Sequence, residues 1–424
     1  MPLTVFEALR DNIRTFLGGA TVELSPGTDS PASAPGRISE TVVIDDRPYR
    51  FNARRDGLPF TKSETAFCRE LLTAFSALQS GFRQQGYAAQ FRTALLASIM
   101  DITVARSLRG DHRKGFWPIQ QLIQLLKALS YQRYEGTPAT TGFLVHRTTP
   151  QALAALLDER HHTLINFHPH VDITPNFFDN PLLYRFVDGA NLFFLANIQM
   201  QVTGVIRTSH TTCLNDIERL TQREIFSLVR RAGRGAFAVT VNEASEIEIQ
   251  VSPARLLVRR KGAWTIFEPD ILRAFLAGSI DSESADELLW TVYALSKARH
   301  GTVILIYDQG PRQLAALKKG SVGGDDPVGK LLIDRVKGRT IADLKQTGIL
   351  LRILTADGMS VLGPDGRLME TGFIIDTSHA REMVTGGGRT TAAHAASYFG
   401  KVIKVSQDGP IELYHDGRMV YRFG

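Results

Sequence analysis

The sequence predicts an α/β protein: a C-terminal mixed-sheet α/β domain, preceded by an α-helical segment and a mainly β region of α+β type. From 60 to 140, apolar residues recur every three or four positions, as in packed amphipathic helices. From 141 to 270, shorter alternating runs are broken by Gly, Asn, Asp and Pro, as in strands. From 280 to 424, strand patterns alternate with helix patterns, which is typical of an α/β layer domain.

The length and composition favour a multidomain protein of the cytoplasm. A chain of 424 residues is too long for one ordinary core. Its content of 43% hydrophobic and 22% charged residues is typical of soluble proteins. We find no apolar run near the roughly 18 residues that span a bilayer, and no secretory signal at the N-terminus. We therefore expect a cytoplasmic location and no membrane partner.

The sequence of the first 59 residues predicts a helix and then a linker. Residues 1–21 have an amphipathic pattern that favours a helix. The stretch "ELSPGTDSPASAPGRISE" is rich in Ser, Pro, Gly and Ala and has only one large apolar residue, Ile38, after Leu24. Such a composition is typical of a loop, so 22–59 is predicted to be a linker or long loop.

The next two regions differ in their apolar pattern. In the helical segment 60–140, Thr61 or Ser63 is placed to cap the first helix. In 141–270, runs such as "TGFLVHR", "GAFAVTVNE" and "EIEIQVS" predict strands, and "LNDIERLTQREIFSLVRRAG" predicts one helix among them.

Residues 280–424 begin with a predicted helix, "SADELLWTVYALSKARHG", followed by "TVILIY", an uninterrupted apolar run typical of a strand buried on both faces. Shorter strands, "MSVLG" and "LMETGFIID", come later. The chain closes with two strands around an Asp-Gly turn.

Charge, cysteines and histidines argue against several functions. The net charge of +6 comes from 49 Lys and Arg against 43 Asp and Glu spread along the chain, so a nucleic-acid partner is not expected. Cys68 and Cys213 are too few and too far apart for a disulfide framework or a thiolate metal cluster. A zinc site is not expected in "RHHTLINFHPH" either, since no Cys or carboxylate is spaced to complete a tetrahedral set. Its histidines are His161, His162, His168 and His170.

The stretch "TGGGRTTAAHAAS" (385–397) is a candidate phosphate-binding loop. Its glycines let the backbone approach a ligand, and the N–H groups at the start of the following helix carry partial positive charge. Arg389 adds a guanidinium fork, and Thr390 and Thr391 add hydroxyl donors. The alternative is a flexible turn that leads into a surface helix, since no Walker lysine is present.

Asp357, in "LTADGMSVLGPDG", follows a helix pattern and precedes a short strand, a position suited to holding a divalent metal over a phosphate. The alternative is an ordinary turn, because Asp-Gly pairs favour turns. The chain has other Asp-Gly pairs, at Asp56, Asp188, Asp365, Asp408 and Asp416.

Four segments follow one another in the order that the diadenylate cyclase domain family shows: "ALSKARHGTVILIY", "TADGMSVLGPDGRLMETGFIID", "GGRTTAAHAAS" and "IKVSQDGPIELYHDGRMVY". The family has an arginine-glycine helix end before a strand, an Asp-Gly-Ala motif, a Gly-Thr-Arg-His-Arg-Ala-Ala motif and a Val-Ser-Glu-Glu segment. Over residues 283–424 the chain thus resembles this family, which condenses two ATP into cyclic di-AMP and pyrophosphate.

The resemblance implies roles for individual residues. Asp357 and Arg389 would be catalytic, and Asp357 would bind Mg²⁺ or Mn²⁺, with Asp408 in the second acidic position. Ile375 would lie near the adenine. Met359 stands for the family's alanine, and the threonines after Arg389 stand for its histidine and second arginine. The implied nucleotide-binding residues are Gly358, Met359, Ile375, Gly387, Gly388, Arg389, Thr390 and Thr391.

A closer match to the Asp-Gly-Ala motif lies at Asp188-Gly189-Ala190. No glycine-arginine loop follows it at the family's distance, so we interpret it as a hairpin turn.

In the family, two protomers meet face to face, each with one ATP. The resemblance therefore implies ATP as a partner, self-association through the C-terminal domain as a homodimer or higher oligomer, and a sensory or regulatory role for 141–270 with an effector that the sequence does not identify. Two alternatives remain open: a catalytically inactive nucleotide-binding sensor, and a nucleic-acid-binding or structural protein.

Overall fold

The computed structural model describes residues 2–27, 34, 36–84, 98–109, 115–148, 150–157, 162–208, 216–251, 255–323, 326–380 and 384–424. The predictions for Cys213 and His161 lie outside these described residues. The chain divides into two compact units. The first unit is Met1–Thr211 with Gln222–Glu268, and the second is Thr212–Thr221 with Pro269–Gly424.

The protein is mixed α/β, with helices and with antiparallel and mixed sheets. The helices, numbered along the described chain, are α1 (Pro2–Phe16), α2 (Lys62–Gln84), α3 (Ile99–Arg109), α4 (Trp117–Ser130), α5 (Pro150–Leu156), α6 (Pro181–Phe186), α7 (Asp216–Thr221), α8 (Arg223–Ala232), α9 (Pro269–Leu276), α10 (Ser282–Lys297), α11 (Pro311–Ala316), α12 (Pro327–Val336), α13 (Ile341–Gln346), α14 (Leu350–Thr355) and α15 (Gly388–Ala396). Among the described residues, no helix combines the length and the apolar character that crossing a membrane requires.

The strands are β1 (Thr21–Pro26), β2 (Arg37–Ile44), β3 (Arg47–Arg54), β4 (Arg133–Tyr134), β5 (Thr137–Pro138), β6 (Thr141–His146), β7 (His162–Asp172), β8 (Leu192–Asn197), β9 (Gln201–Thr208), β10 (Phe237–Val241), β11 (Ile247–Val251), β12 (Arg255–Arg260), β13 (Ala263–Phe267), β14 (Thr302–Tyr307), β15 (Lys318–Ser321), β16 (Met359–Leu362), β17 (Leu368–Ile375), β18 (Gly400–Val405), β19 (Ile411–His415) and β20 (Arg418–Phe423).

The first unit contains a three-stranded sheet, β1-β3-β2, and an eight-stranded mixed sheet, β13-β12-β11-β10-β6-β8-β9-β7. The linker predicted for 22–59 is wrong for most of its length, because β1, β2 and β3 occupy it. Alternating side chains in 37–54 bury one face of this sheet, with Phe51 and Ala53 fully covered. Asp45 and Asp46 form the turn between β2 and β3 with positive φ angles of 51° and 62°, a conformation that Asp adopts more readily than most residues.

A buried ion pair joins three parts of the first unit. Arg55 Nη1 lies 2.6 Å from Glu64 Oε1, and both side chains are almost fully buried. Arg55 also donates to the carbonyl oxygens of Leu17 and Pro59, which follow α1 and precede α2. Glu64 completes a capping box with Thr61 at the start of α2, as each backbone N–H donates to the other's side chain. The pair thus fixes the start of α2 against the end of α1.

The second unit is a seven-stranded mixed sheet in the order β15-β17-β16-β14-β18-β19-β20. β14 is buried along its whole length, runs parallel to β16 and pairs antiparallel with β18. Helix α15 packs on the sheet face that carries Val303, Leu305 and Tyr307, where Ala393 and Ala396 are fully buried. These small residues let the helix axis approach the strands closely.

We predict that Glu64→Ala destabilises the first unit by about 3–5 kcal/mol, because it leaves the buried guanidinium of Arg55 without a counter-charge. Urea unfolding followed by circular dichroism measures the loss. The matched control is Asp56→Ala, which removes the exposed pair Arg54–Asp56, whose side chains are 63% and 76% exposed. That change should cost no more than about 1 kcal/mol, and equal losses for the two variants would contradict the structural role of Glu64.

Candidate functional site

The second unit contains a cavity of about 580 Å³ at one end of its central strands. Because β14 and β16 are parallel, both begin at this end, while the antiparallel strands β17 and β18 finish there. The N-terminus of α15 also lines the cavity. Its lining residues are Val303, Asp357, Gly358, Met359, Phe373, Ile374, Ile375, Thr377, Gly387, Gly388, Arg389, Thr390, Ala392, Lys404, Ser406 and Gln407.

The Asp357-Gly358 turn links α14 to β16 and brings a carboxylate to the cavity. Gly358 has a φ of +88°, and a Cβ there would come within 2.6 Å of the carbonyl carbon of Gly372 in β17. Only glycine fits this close approach. The side chain of Asp357 is 83% exposed, so its carboxylate remains accessible to a ligand in solution.

The glycine loop leads directly into α15. Gly387 precedes the helix without a side-chain cap, and its carbonyl oxygen accepts from the N–H groups of Thr390 and Thr391. The N–H groups of Gly388 and Arg389, at the first positions of the helix, have no intrahelical acceptor. They therefore form a site with partial positive charge that is suited to an anion.

Arg389 lies beside Asp357 but is not fixed by it. Its Nη2 is 3.9 Å from Asp357 Oδ1, too long for a hydrogen bond, and the Arg389 side chain is 37% exposed. An exposed pair of this kind contributes at most about 1 kcal/mol. The guanidinium therefore keeps the capacity to bind another anion in the cavity.

Gly301, just before β14, makes room for that guanidinium. A Cβ at Gly301 would meet Arg389 Nη1 at 2.7 Å and Gln407 Cγ at 2.9 Å. A larger residue at this position would push the Arg389 side chain away.

Part of the cavity wall is apolar. Val303, Met359, Phe373 and Ile375 line the cavity and are each less than 5% exposed. A wall of this kind suits a flat apolar ring, while the helix start and Arg389 suit phosphate or carboxylate groups. The cavity thus fits a ligand with one apolar end and one strongly anionic end.

Sequence reasoning missed Lys404. This residue lines the cavity from β18 and is 7% exposed. Its Nζ donates to Glu412 Oε2 at 2.7 Å, and the hydroxyl of Tyr414 donates to the same oxygen at 2.7 Å. Burial, together with this hydrogen bond to Glu412, raises the pKa of Tyr414 above its usual range. Lys404 is therefore an ordered cation, held in place by its cross-strand partner on β19.

The structure brings most of the predicted site residues together. Asp357, Gly358, Met359, Ile375, Gly387, Gly388, Arg389 and Thr390 all line the one cavity. Thr391 and Asp408 do not belong to this lining. Asp408 lies exposed in the tight turn between β18 and β19, where Gly409 N–H donates to Ser406 O.

The Asp188-Gly189-Ala190 segment forms a turn between α6 and β8. Asp188 Oδ1 accepts hydrogen bonds from the backbone N–H groups of Ala190, Asn191 and Leu192. These three hydrogen bonds give Asp188 a structural role in the turn. The turn joins a helix to a strand and is therefore not the hairpin turn that the sequence suggested.

Comparison with known proteins adds little. No protein-family model matches the chain, and no curated protein matches it. Some solved structures are similar to part of the chain. One, titled "The crystal structure of the hypothetical membrane spanning protein from Bacillus cereus", has a TM-score of 0.27 and 17% identity, over 36% of this chain and 70% of that chain.

We predict that Gly301→Ala weakens binding of inorganic triphosphate by about tenfold or more, because the new methyl group displaces Arg389. A hydrogen bond between charged groups contributes roughly 1.5–3 kcal/mol, and 1.4 kcal/mol corresponds to tenfold. Isothermal titration calorimetry measures the affinity. The control is Gly81→Ala, whose added Cβ meets nothing within 4 Å. Unchanged affinity in Gly301→Ala would show that Arg389 does not contact the phosphates.

Proposed function

We propose that the protein is a diadenylate cyclase that condenses two ATP into cyclic di-AMP and pyrophosphate. One observation carries the proposal: the Asp357 carboxylate, the Arg389 guanidinium and the N-terminus of α15 line a single cavity that also has an apolar wall. ATP has the matching features, an aromatic base and a chain of anionic phosphates.

Different residues of the cavity would bind different parts of the nucleotide. Arg389, the hydroxyl of Thr390 and the N–H groups of Gly387 and Gly388 would bind the β- and γ-phosphates. Met359, Phe373 and Ile375 would pack against the adenine. Lys404 would add a fixed positive charge without leaving Glu412. In this arrangement the chain acts mainly by positioning the nucleotide and by neutralising charge.

The accessible carboxylate of Asp357 fits a divalent metal that arrives with the nucleotide. Among the described residues, no group of three or more His, Cys, Asp or Glu side chains is placed to hold a metal ion. Mg²⁺ is usually held by one or two protein carboxylates together with substrate phosphates, and Asp357 offers one such accessible carboxylate. Mg²⁺ or Mn²⁺ bound there would neutralise phosphate charge and favour ionisation of a nearby hydroxyl.

The reaction requires two bound nucleotides facing each other. The 3′-hydroxyl oxygen of each ATP attacks the α-phosphorus of the other, a P–O bond forms, and the bond to pyrophosphate breaks. The hydroxyl proton leaves to solvent or to the pyrophosphate. Since one cavity holds one nucleotide, the proposal includes self-association of the second unit, as a homodimer or higher oligomer, and assigns the first unit a sensory role with an effector still to be identified.

A specific observation favours the inactive nucleotide-binding sensor as the second candidate. Thr390 and Thr391 stand where the cyclase family has a histidine and a second arginine, and Thr391 does not line the cavity. Arg389 is thus the one guanidinium among the described lining residues. With this weaker phosphate clamp, the cavity could bind a nucleotide without releasing pyrophosphate.

We predict that the full-length protein, incubated with ATP and Mn²⁺ or Mg²⁺, forms cyclic di-AMP, and that Asp357→Asn lowers the rate at least a hundredfold. The reason is that the neutral amide oxygen binds a divalent metal more weakly than the carboxylate and does not balance its charge. Mass spectrometry detects the product. The matched control is Asp365→Asn, which changes an exposed aspartate in another Asp-Gly turn of the same unit, outside the cavity lining.

Three outcomes separate the candidates. Product formed by the wild type and by Asp365→Asn, but not by Asp357→Asn, supports the cyclase. Product that persists in Asp357→Asn refutes the assignment of this aspartate. ATP binding that Arg389→Ala abolishes, without any product from the wild type, supports the inactive sensor instead.

A further inference from the structure

A second cavity, of about 210 Å³, lies in the first unit between α2, α3 and the strand pair β12–β13. Ser63, Ala66, Phe67 and Glu70 line it from one face of α2, at the spacing of successive helical turns. Leu257 and Ile266, which are cross-strand partners, form its floor. Most of the described lining residues therefore lie on regular elements.

Three arginines from separate elements line this pocket. Arg106 lies near the end of α3, Arg234 in the turn after α8, and Arg255 at the start of β12. Among the described lining residues there is a single carboxylate, that of Glu70, which pairs with Arg106. The lining thus carries two more positive than negative groups.

Arg255 provides a second observation that points to a ligand. Its Nε is buried and has no hydrogen-bond partner among the described residues. Burial lowers the pKa of Arg255, and the charge of Glu268 offsets this only partly. Glu268 itself accepts hydrogen bonds from Ser63 and Thr61, and burial raises its pKa. A guanidinium remains charged at neutral pH, so its buried donor favours an added anion.

We infer that this pocket, lined by Arg106, Arg234 and Arg255, is a binding site for a small organic dianion, either a phosphate monoester or a dicarboxylate. Guanidinium forks match the planar or tetrahedral oxygens of both groups. The volume is below the roughly 300–1,000 Å³ of pockets for drug-sized ligands, which restricts the ligand to a small molecule. Phe67, Leu257 and Ile266 would contact its carbon atoms. This inference does not depend on the proposed cyclase activity.

The test uses the full-length protein and two probes, inorganic phosphate and malonate, titrated at constant ionic strength by isothermal titration calorimetry. We expect saturable binding of at least one probe, and the probe that binds more tightly identifies the head group. Arg234→Ser should weaken that binding at least tenfold. Arg234 is exposed, so this variant leaves the core unchanged, and Arg255→Met is the second variant because it retains the bulk of the side chain.

Two controls separate this pocket from other anion-binding surfaces. Arg207→Ser removes an exposed arginine of the same unit that lies outside the pocket lining, and should leave the affinity unchanged. Arg389→Ala removes the guanidinium of the second unit's cavity, so saturable binding that persists in this variant belongs to the pocket of the first unit. The inference is overturned if neither probe shows saturable binding, if Arg234→Ser and Arg207→Ser lower the affinity equally, or if Arg389→Ala abolishes the binding.

Discussion

The candidate site depends on the way three neighbouring strands pair. β14 runs parallel to β16 and antiparallel to β18, so the starts of β14 and β16 meet the end of β18 at one edge of the sheet. Segments attached to these strand ends therefore face one cavity, although more than 50 residues of sequence separate Gly301 from Asp357. Gly301 and Gly358 then allow a side chain and a backbone segment to approach more closely than other residues would permit.

The two cations among the described lining residues of this cavity, Arg389 and Lys404, differ in how firmly they are held. Lys404 is buried and bonded to Glu412, so moving it would leave a buried carboxylate uncompensated, at a cost of several kcal/mol. Arg389 is partly exposed and only loosely paired with Asp357. If Arg389 gives up its contact with Asp357 for a phosphate group of a ligand, the loss of free energy is therefore small. Arg389 can therefore change its partner when a ligand binds, while Lys404 keeps its position beside Glu412.

Local patterns predicted much of the fold and part of the site. Asp357 and Arg389 lie in short motifs whose glycines and following elements are legible in sequence, and the structure places both on one cavity. Lys404 was missed because its orientation is set by pairing with Val303 and Glu412, which no local pattern reveals. The strands of 22–59 were missed because Ser, Pro and Gly before residue 37 obscured the alternation of 37–54.

Two arginines of the first unit show what distinguishes a structural cation from a ligand-binding one. Arg55 donates to three backbone carbonyl oxygens and to Glu64, so its hydrogen-bonding capacity is met within the fold. Arg255 is also largely removed from solvent, yet its Nε faces no acceptor among the described residues. A buried donor without an acceptor costs roughly 1–3 kcal/mol, so the fold bears a penalty at Arg255, and an anion in the adjoining pocket would offset it by interacting with the guanidinium. The same chemistry, a guanidinium away from water, therefore stabilises the fold at one position and creates affinity for a ligand at the other.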